Sequence, residues 1–92
     1  MTVLAREKKY GLTGEQQAAM LEAQGNRCAC CGDLLAPGHG THLDHNHRTG
    51  QVRAFVCPRC NHAVGNVDDD PERARKLVAY LEGHAPRLTL AR

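Results

Sequence analysis

The sequence has 92 residues, of which 3% are aromatic and none is Trp. This length favours one small domain over residues 1–92. With so few large apolar side chains, its core is too small to be stable without a cross-link such as a metal site or a disulfide. The formal net charge of +2 is by itself only weak support for a nucleic-acid partner. No apolar run approaches the length of a membrane span or of the hydrophobic part of a signal peptide, so we expect a cytoplasmic protein whose cysteines stay reduced.

The first twelve residues contain several basic side chains but show no clear periodicity. We predict a basic arm over residues 1–12, in which Lys8 and Lys9 contact a nucleic-acid backbone. A solvated chain terminus is an equally good interpretation of this stretch.

A capping-box pattern predicts the first helix. Thr13 and Gln16 have the required spacing, so the helix is expected to run from about Gly14 to Gln24. Gly25 then suits the left-handed position that follows many helix ends.

Two Cys-x-x-Cys pairs, Cys28/Cys31 and Cys57/Cys60, are separated by 25 residues. Four thiolates in two such pairs predict a closed tetrahedral zinc site that stabilises the fold and does no catalysis. Two disulfides are the main alternative, which a reducing compartment disfavours, and a histidine in place of one cysteine is another. Cys30 is left free, because only one residue separates it from Cys28.

A β-hairpin is predicted between the two cysteine pairs. Residues 41–45 and 51–56 form its strands, and residues 46–50 form its turn. Along the second strand aliphatic residues alternate with the others, as in a half-buried strand: Val52, Ala54 and Val56 against Gln51, Arg53 and Phe55.

Two helices are predicted after the hairpin. One begins inside the second cysteine pair and runs to about Asn66, with Asn61 in its first turn. The other has Asp70 as its N-cap, Pro71 at its first position and Gly83 at its end. The apolar residues of this second helix follow the spacing of one buried face; they are Ala74, Leu77, Val78 and Leu81. A tail over residues 84–92 follows the helix.

The residues suited to chemistry lie in and just after the hairpin. Asp44 is the only acidic residue between Asp33 and Asp68, in a basic stretch, which suits a metal ligand that faces phosphate better than an ordinary turn aspartate. Asp44 and Asn61 offer the oxygen ligands that Mg²⁺ or Mn²⁺ prefers. A histidine can activate water for phosphodiester hydrolysis, and four lie within nine residues: His39, His42, His45 and His47.

Four stretches give the sequence a family resemblance: YGLT at 10–13, QGxRCxxCG at 24–32, LDHNHxTGxVR at 43–53, and CxxCN at 57–61 followed by Gly65. Together they resemble the phage recombination endonuclease VII family of HNH, or His-Me finger, nucleases over about residues 10–82. The resemblance implies a small α+β fold, in which a ββα-metal core is stapled by a four-cysteine zinc site and flanked by N- and C-terminal helices. It also implies that Asp44 and Asn61 bind the catalytic ion, that His45 is the general base, and that His47 contacts phosphate or supports the site.

The expected function is therefore divalent-metal-dependent cleavage of DNA, with phosphate contacts from Arg48, Arg53, Arg59, Lys8 and Lys9. The family usually has Asp where this sequence has Asn46, a turn position at which we expect little effect. The best-known family member has a longer C-terminal region that builds a dimer for resolving branched DNA. We accordingly expect nicking or less selective cleavage by a monomer or weak dimer, acting as a phage protein in the host cytoplasm.

Two other functions remain open at this point. A zinc-ribbon module that binds DNA without cleaving it would explain the cysteines and the basic residues, but not the placement of Asp44, His45 and Asn61. A zinc-stabilised protein-interaction domain would use the helix that carries Leu77 and Val78, although packing of that helix on its own core is the preferred interpretation.

Overall fold

The structure is a computed structural model that describes residues 1–84, so the predicted tail, apart from His84, lies outside the described residues. In this range the chain forms four α-helices, one short 3₁₀ turn and one antiparallel pair of strands, which confirms the small α+β class. The elements in chain order are α1 (Val3–Tyr10), α2 (Gly14–Ala23), the 3₁₀ turn (Gly38–Gly40), β1 (His42–His45), β2 (Val52–Val56), α3 (Pro58–Asn66) and α4 (Pro71–Gly83).

The first residues form a helix, which the sequence analysis of the basic arm over residues 1–12 did not predict. The Thr2 hydroxyl caps α1 by accepting a hydrogen bond from the backbone N–H of Ala5 at 3.1 Å. Gly11, with φ of 71°, ends the helix in the left-handed conformation. Lys8 and Lys9 occupy the last turn, where cations interact favourably with the helix dipole.

Polar contacts hold α1 against α2. The Gln17 side chain is buried and donates from Nε2 to the carbonyl oxygens of Val3 and Leu12, each at 3.1 Å. The Glu7 carboxylate accepts from the backbone N–H of Gly14 at 2.6 Å. An eight-residue helix is marginal alone, so these contacts explain why it forms without a periodic apolar stripe.

The local signals for α2 are confirmed. The Thr13 hydroxyl accepts from the N–H of Gln16 at 3.1 Å, and the Gln16 side chain accepts from the N–H of Thr13 at 2.9 Å. Gly25 follows the helix with φ of 61°. The helix therefore starts at a complete capping box, as the sequence predicted.

The predicted hairpin is confirmed, and its pairing contains an irregularity. Asp44 lies opposite Ala54, but His45 lies opposite Val52, so Arg53 falls between the two pairs as an extra residue. Such a bulge re-aims side chains locally. In this hairpin the re-aimed side chain is Arg53, beside the predicted metal ligand Asp44.

The apolar core is small and centres on the end of β2. Phe55 is fully buried, although the alternation along the strand grouped it with polar residues. Its backbone N–H and carbonyl bond to the Gln24 side chain at 3.0 and 2.9 Å, and the Arg6 guanidinium lies 5.1 Å from its ring centroid. Phe55 and Val56 are neighbours whose side chains point to opposite faces of β2, and both are buried, so both faces are covered at this end. The buried apolar residues are Cys28, Leu43, Phe55 and Val56.

Helix α4 begins as predicted, but its apolar face is not buried. Asp70 caps it by accepting from the N–H of Glu72 at 3.0 Å. Leu77, Val78 and Leu81 are 53%, 54% and 66% exposed, so the prediction that they pack on the core is wrong. The spacing identifies an apolar side of a helix and does not provide a partner for it. No helix within residues 1–84 is long and apolar enough to cross a membrane.

Candidate active site and metal centre

The four paired cysteines converge on one point. The sulfur atoms of Cys28, Cys31, Cys57 and Cys60 all lie within 4.8 Å of one another, and those of Cys31 and Cys57 are 3.9 Å apart. Tetrahedral zinc with bonds of about 2.3 Å to sulfur requires sulfur separations of about 3.8 Å. The cluster therefore has the donor set and the dimensions to hold such a metal ion, and Cys30 is not a member of it.

Backbone geometry builds the cluster. Gly32, with φ of 80°, turns the chain after the first pair and donates its N–H to the Cys28 carbonyl at 2.9 Å. Cys57 is the N-cap of α3, and its sulfur accepts from the N–H of Cys60 at 3.4 Å. The N–H of Cys57 in turn points at the Cys28 sulfur, at 3.3 Å.

The crowded sulfurs shift each other's ionisation. Burial raises the pKa of Cys28, but N–H groups from Cys31, Cys57 and Cys30 outweigh it and lower that pKa to about 6. Burial and the neighbouring sulfurs raise the pKa of Cys60. Four thiolates repel one another at this spacing, and a bound cation removes that repulsion.

The predicted catalytic residues line a separate cavity of about 210 Å³. Strand β1 and the turn after it supply Asp44, His45 and His47, and the first turn of α3 supplies Asn61. The structure therefore brings all four of these residues to one site. Helix α1 contributes Arg6 and Tyr10 to the same lining.

His45 is held by two rings. Its Nδ1 lies 3.2 Å from the Tyr10 hydroxyl, and its ring centroid lies 4.4 Å from that of His47, with the planes inclined by 51°. The phenol can accept from a protonated Nδ1 or donate to an unprotonated one. When it accepts, the Nε2 lone pair of His45 stays available to take a proton.

Asp44 is 8% exposed and paired with Arg53. The Nε of Arg53 donates to Asp44 Oδ2 at 2.6 Å and its Nη2 to Oδ1 at 3.2 Å. Nη2 also reaches Asp69 Oδ1 at 2.9 Å. These hydrogen bonds raise the pKa of Arg53, and the one to Asp69 lowers the pKa of that carboxyl group.

Arg53 was predicted to contact DNA, but its guanidinium has carboxylate partners within the chain. A carboxylate has about four lone-pair sites, so Asp44 can accept the Arg53 fork and still coordinate a cation. The arrangement orients the Asp44 side chain. The other predicted DNA contacts are exposed and form no ion pair among residues 1–84; they are Lys8, Lys9, Arg48 and Arg59.

Sequence reasoning missed Arg6 and Tyr10 as site residues. They lie four positions apart, on one face of α1, and both reach the cavity. The signals that define α1 are present in the sequence as a Thr before the helix and a Gly after it. Because α1 was not predicted, the four-residue spacing of Arg6 and Tyr10 did not indicate that they lie on one face of a helix.

The hairpin, the helix after it and the cysteine cluster define the ββα-metal class of fold. A solved member, the ββα-Me type II restriction endonuclease Hpy99I, superimposes with a TM-score of 0.56 and 26% identity, over 88% of this chain and 48% of that chain. The family model for recombination endonuclease VII matches residues 3–83. The chain belongs to the recombination endonuclease VII family.

Relatives among phage proteins agree with this assignment. The Gene 59 proteins of Mycobacterium phages D29 and L5 are 36% and 34% identical to the chain over 73 residues. Each match covers 78% of this chain and 44% of the relative. The chain therefore spans less than half the length of these relatives.

Proposed function

We propose that the chain is a divalent-metal-dependent DNA endonuclease of the HNH type that hydrolyses phosphodiester bonds. The observation that carries the proposal is the convergence of Asp44, His45 and Asn61 on one cavity of a ββα-metal fold. Membership of a family of endonucleases supports it.

Asp44 and Asn61 would hold the catalytic Mg²⁺ or Mn²⁺. A carboxylate and an amide are hard oxygen donors, and two protein ligands leave room for water and a substrate phosphate. The bound ion would supply stabilisation of the negative charge that develops on the phosphate and the leaving oxygen. Arg53, through its two hydrogen bonds, fixes the Asp44 side chain for that role.

His45 acts as the general base. It takes a proton from the attacking water while the water oxygen forms a bond to phosphorus, and the bond to the leaving oxygen breaks. That oxygen is protonated by solvent. Tyr10 and His47 hold the imidazole ring in place, and His47, which is exposed at the cavity, also contacts the substrate phosphate.

The four-cysteine cluster binds one structural zinc ion in this proposal. A site closed by four thiolates has no open position for water or substrate, so it serves the fold alone. DNA backbone contacts come from the exposed Lys8, Lys9, Arg48 and Arg59. In this proposal the protein nicks DNA as a monomer or weak dimer. It acts in the host cytoplasm, a location that the phage origin of the relatives supports.

Cleavage of supercoiled plasmid under single-turnover conditions tests the proposal. The parent should nick with Mg²⁺ or Mn²⁺, and His45→Ala should lose roughly 10²–10⁴-fold in rate, as expected for loss of a general base. His39→Ala is the matched control, because His39 is exposed in the 3₁₀ turn and is not part of the cavity lining. A His45→Ala variant that cuts as fast as the parent would show that His45 is not the base.

A non-catalytic DNA-binding module is the second candidate function. The observation in its favour is that both Asp44 oxygens accept hydrogen bonds from Arg53, which satisfies the carboxylate without a metal ion. This candidate predicts a parent that binds DNA and cleaves none of it with any divalent ion. The same plasmid assay, run beside a binding isotherm, separates the two functions.

A further inference from the structure

Arg6 is a buried cation with too few partners. The residue is 7% exposed, its Nη2 donates to the Thr41 carbonyl at 3.0 Å, and its guanidinium lies over the Phe55 ring. Its Nε is buried and has no hydrogen-bond partner within residues 1–84. No carboxylate in that range pairs with it. Burial of an unpaired charge is costly, so a compensating anion is expected at this position.

The position of Arg6 identifies the kind of anion. Arg6 lines the same cavity as Asp44, His45 and Asn61. It lies one helical turn before Tyr10, whose hydroxyl contacts the His45 ring. A group in this cavity lies beside the proposed base and the proposed ligands of the catalytic ion, which is where a scissile phosphodiester must sit.

We propose that Arg6 binds a non-bridging oxygen of the phosphodiester in this cavity. The inference rests on the proposed function and adds a substrate-contacting residue to it. A guanidinium is planar, stays charged and suits phosphate geometry. The phosphate gains charge at oxygen during hydrolysis, so a preorganised donor from Arg6 stabilises the transition state more than the bound substrate.

Packing alone is the competing explanation of Arg6. In that case its contacts to Thr41 and Phe55 would be its whole contribution, and a substitution would change stability and leave DNA chemistry intact. Arg6→Lys keeps the charge and most of the stem, whereas Arg6→Gln removes the charge. Arg75→Lys is the matched control, because Arg75 is exposed on α4 and, among residues 1–84, its one ion pair is with Glu72.

The kinetic test is single-turnover nicking at saturating protein. Loss of one donor to developing charge typically lowers the rate by about 10²–10³-fold, so Arg6→Gln should lose that much, with DNA affinity changed only a few-fold. Arg6→Lys should lose less, and Arg75→Lys nothing. Circular dichroism and metal content establish that each variant is folded. If both Arg6 variants are folded and cut at the parental rate, the inference is overturned while the proposed function stands.

A second measurement does not depend on activity. The side-chain N–H resonance of Arg6 Nε can be followed by ¹⁵N NMR in the His45→Ala protein, which cannot complete the reaction. A short DNA duplex should shift this resonance, and an Arg6→Lys spectrum supplies its assignment. A resonance unmoved at saturating DNA overturns the inference. A parent that never cuts, but whose Arg6 resonance shifts with DNA, overturns the proposed function and supports the phosphate contact.

Discussion

Arg53 should stabilise the folded protein by holding two carboxylates together. In the structure it joins Asp44 on β1 to Asp69, which follows α3, with contacts of 2.6 and 2.9 Å. Arg53→Ala would leave Asp44, which is 8% exposed, with no cationic partner among the described residues 1–84. We expect a lower free energy of unfolding and a proposed metal ligand that is less well fixed.

The size of the loss follows from the exposure of the partners. Removing one member of a fully buried ion pair costs about 3–5 kcal/mol. The Arg53 side chain is 32% exposed, so water partly replaces it, and we expect about 2–3 kcal/mol. Urea unfolding followed by circular dichroism measures this loss. The free zinc concentration is held fixed, because the free energy of unfolding also depends on how much zinc is available to bind.

A double-mutant cycle with Asp69→Asn isolates one of the two contacts. Asn suits this position because the residue has φ of 55°, which Asn tolerates and Ala does not. The coupling energy should be about 0.5–1.5 kcal/mol. If the changes in unfolding free energy of the two single variants add strictly in the double variant, Arg53 and Asp69 do not interact, and the proposed stabilising ion pair would be wrong.

The contact also predicts a pH dependence. Arg53 lowers the pKa of Asp69 in the folded state, so its stabilisation is present above the unfolded pKa of about 4 and is lost as pH falls through the folded value. The stability difference between parent and Asp69→Asn should therefore shrink below about pH 4. Taking the difference cancels the acid sensitivity of the cysteine cluster, which both proteins share.

Three further predictions concern the metal sites and the base. Replacing Cys28 or Cys57 with Ser should unfold the protein and remove its one zinc ion, as measured by metal analysis, whereas Cys30→Ser should be tolerated; a folded, reduced parent without zinc would contradict this. Mild chelation should abolish plasmid cleavage while zinc content and the circular dichroism spectrum persist, and activity that survives chelation would exclude the loosely held ion. Tyr10→Phe removes one hydrogen bond to His45, worth about 0.5–1.5 kcal/mol, so single-turnover cleavage should slow roughly 2- to 10-fold; an unchanged rate would show that Tyr10 does not position the base.

The parts of the fold that the sequence predicted are those with local signals. The capping box of α2, the cysteine pairs and the Asp70-Pro71 start of α4 depend on residues within a few positions of one another. The hairpin is also stabilised locally, at its turn. The Asn46 side chain accepts hydrogen bonds from the N–H groups of Arg48 and Thr49 at 2.8 and 3.1 Å. An Asp at that position could accept the same bonds.

Most of the features that were missed depend on distant contacts, although α1 also has local signals in Thr2 and Gly11. Helix α1 is held by the Gln17 side chain, and Phe55 of β2 is covered by Arg6 of α1 and by Gln24, which directly follows α2. The ion pairs of Arg53 depend on a bulge that no sequence period reveals. These are contacts between segments far apart in the chain, so periodicity within one segment does not report them.

The four-cysteine cluster and the proposed active site share one turn of the chain. Asn61 directly follows Cys60, and its backbone N–H donates to the carbonyl of Cys57 at 2.9 Å, so the turn that presents two sulfurs also sets the start of α3 and the position of Asn61. Asp44, which lines the same cavity as Asn61, is fixed by the β1–β2 pairing. Few apolar side chains are buried, so the cysteine cluster and the Arg53–Asp69 ion pair contribute much of the attachment of α3 to the hairpin. Metal bound to the cysteines would therefore help to set the distance between Asp44 and Asn61, the two ligands of the catalytic ion in the proposed function.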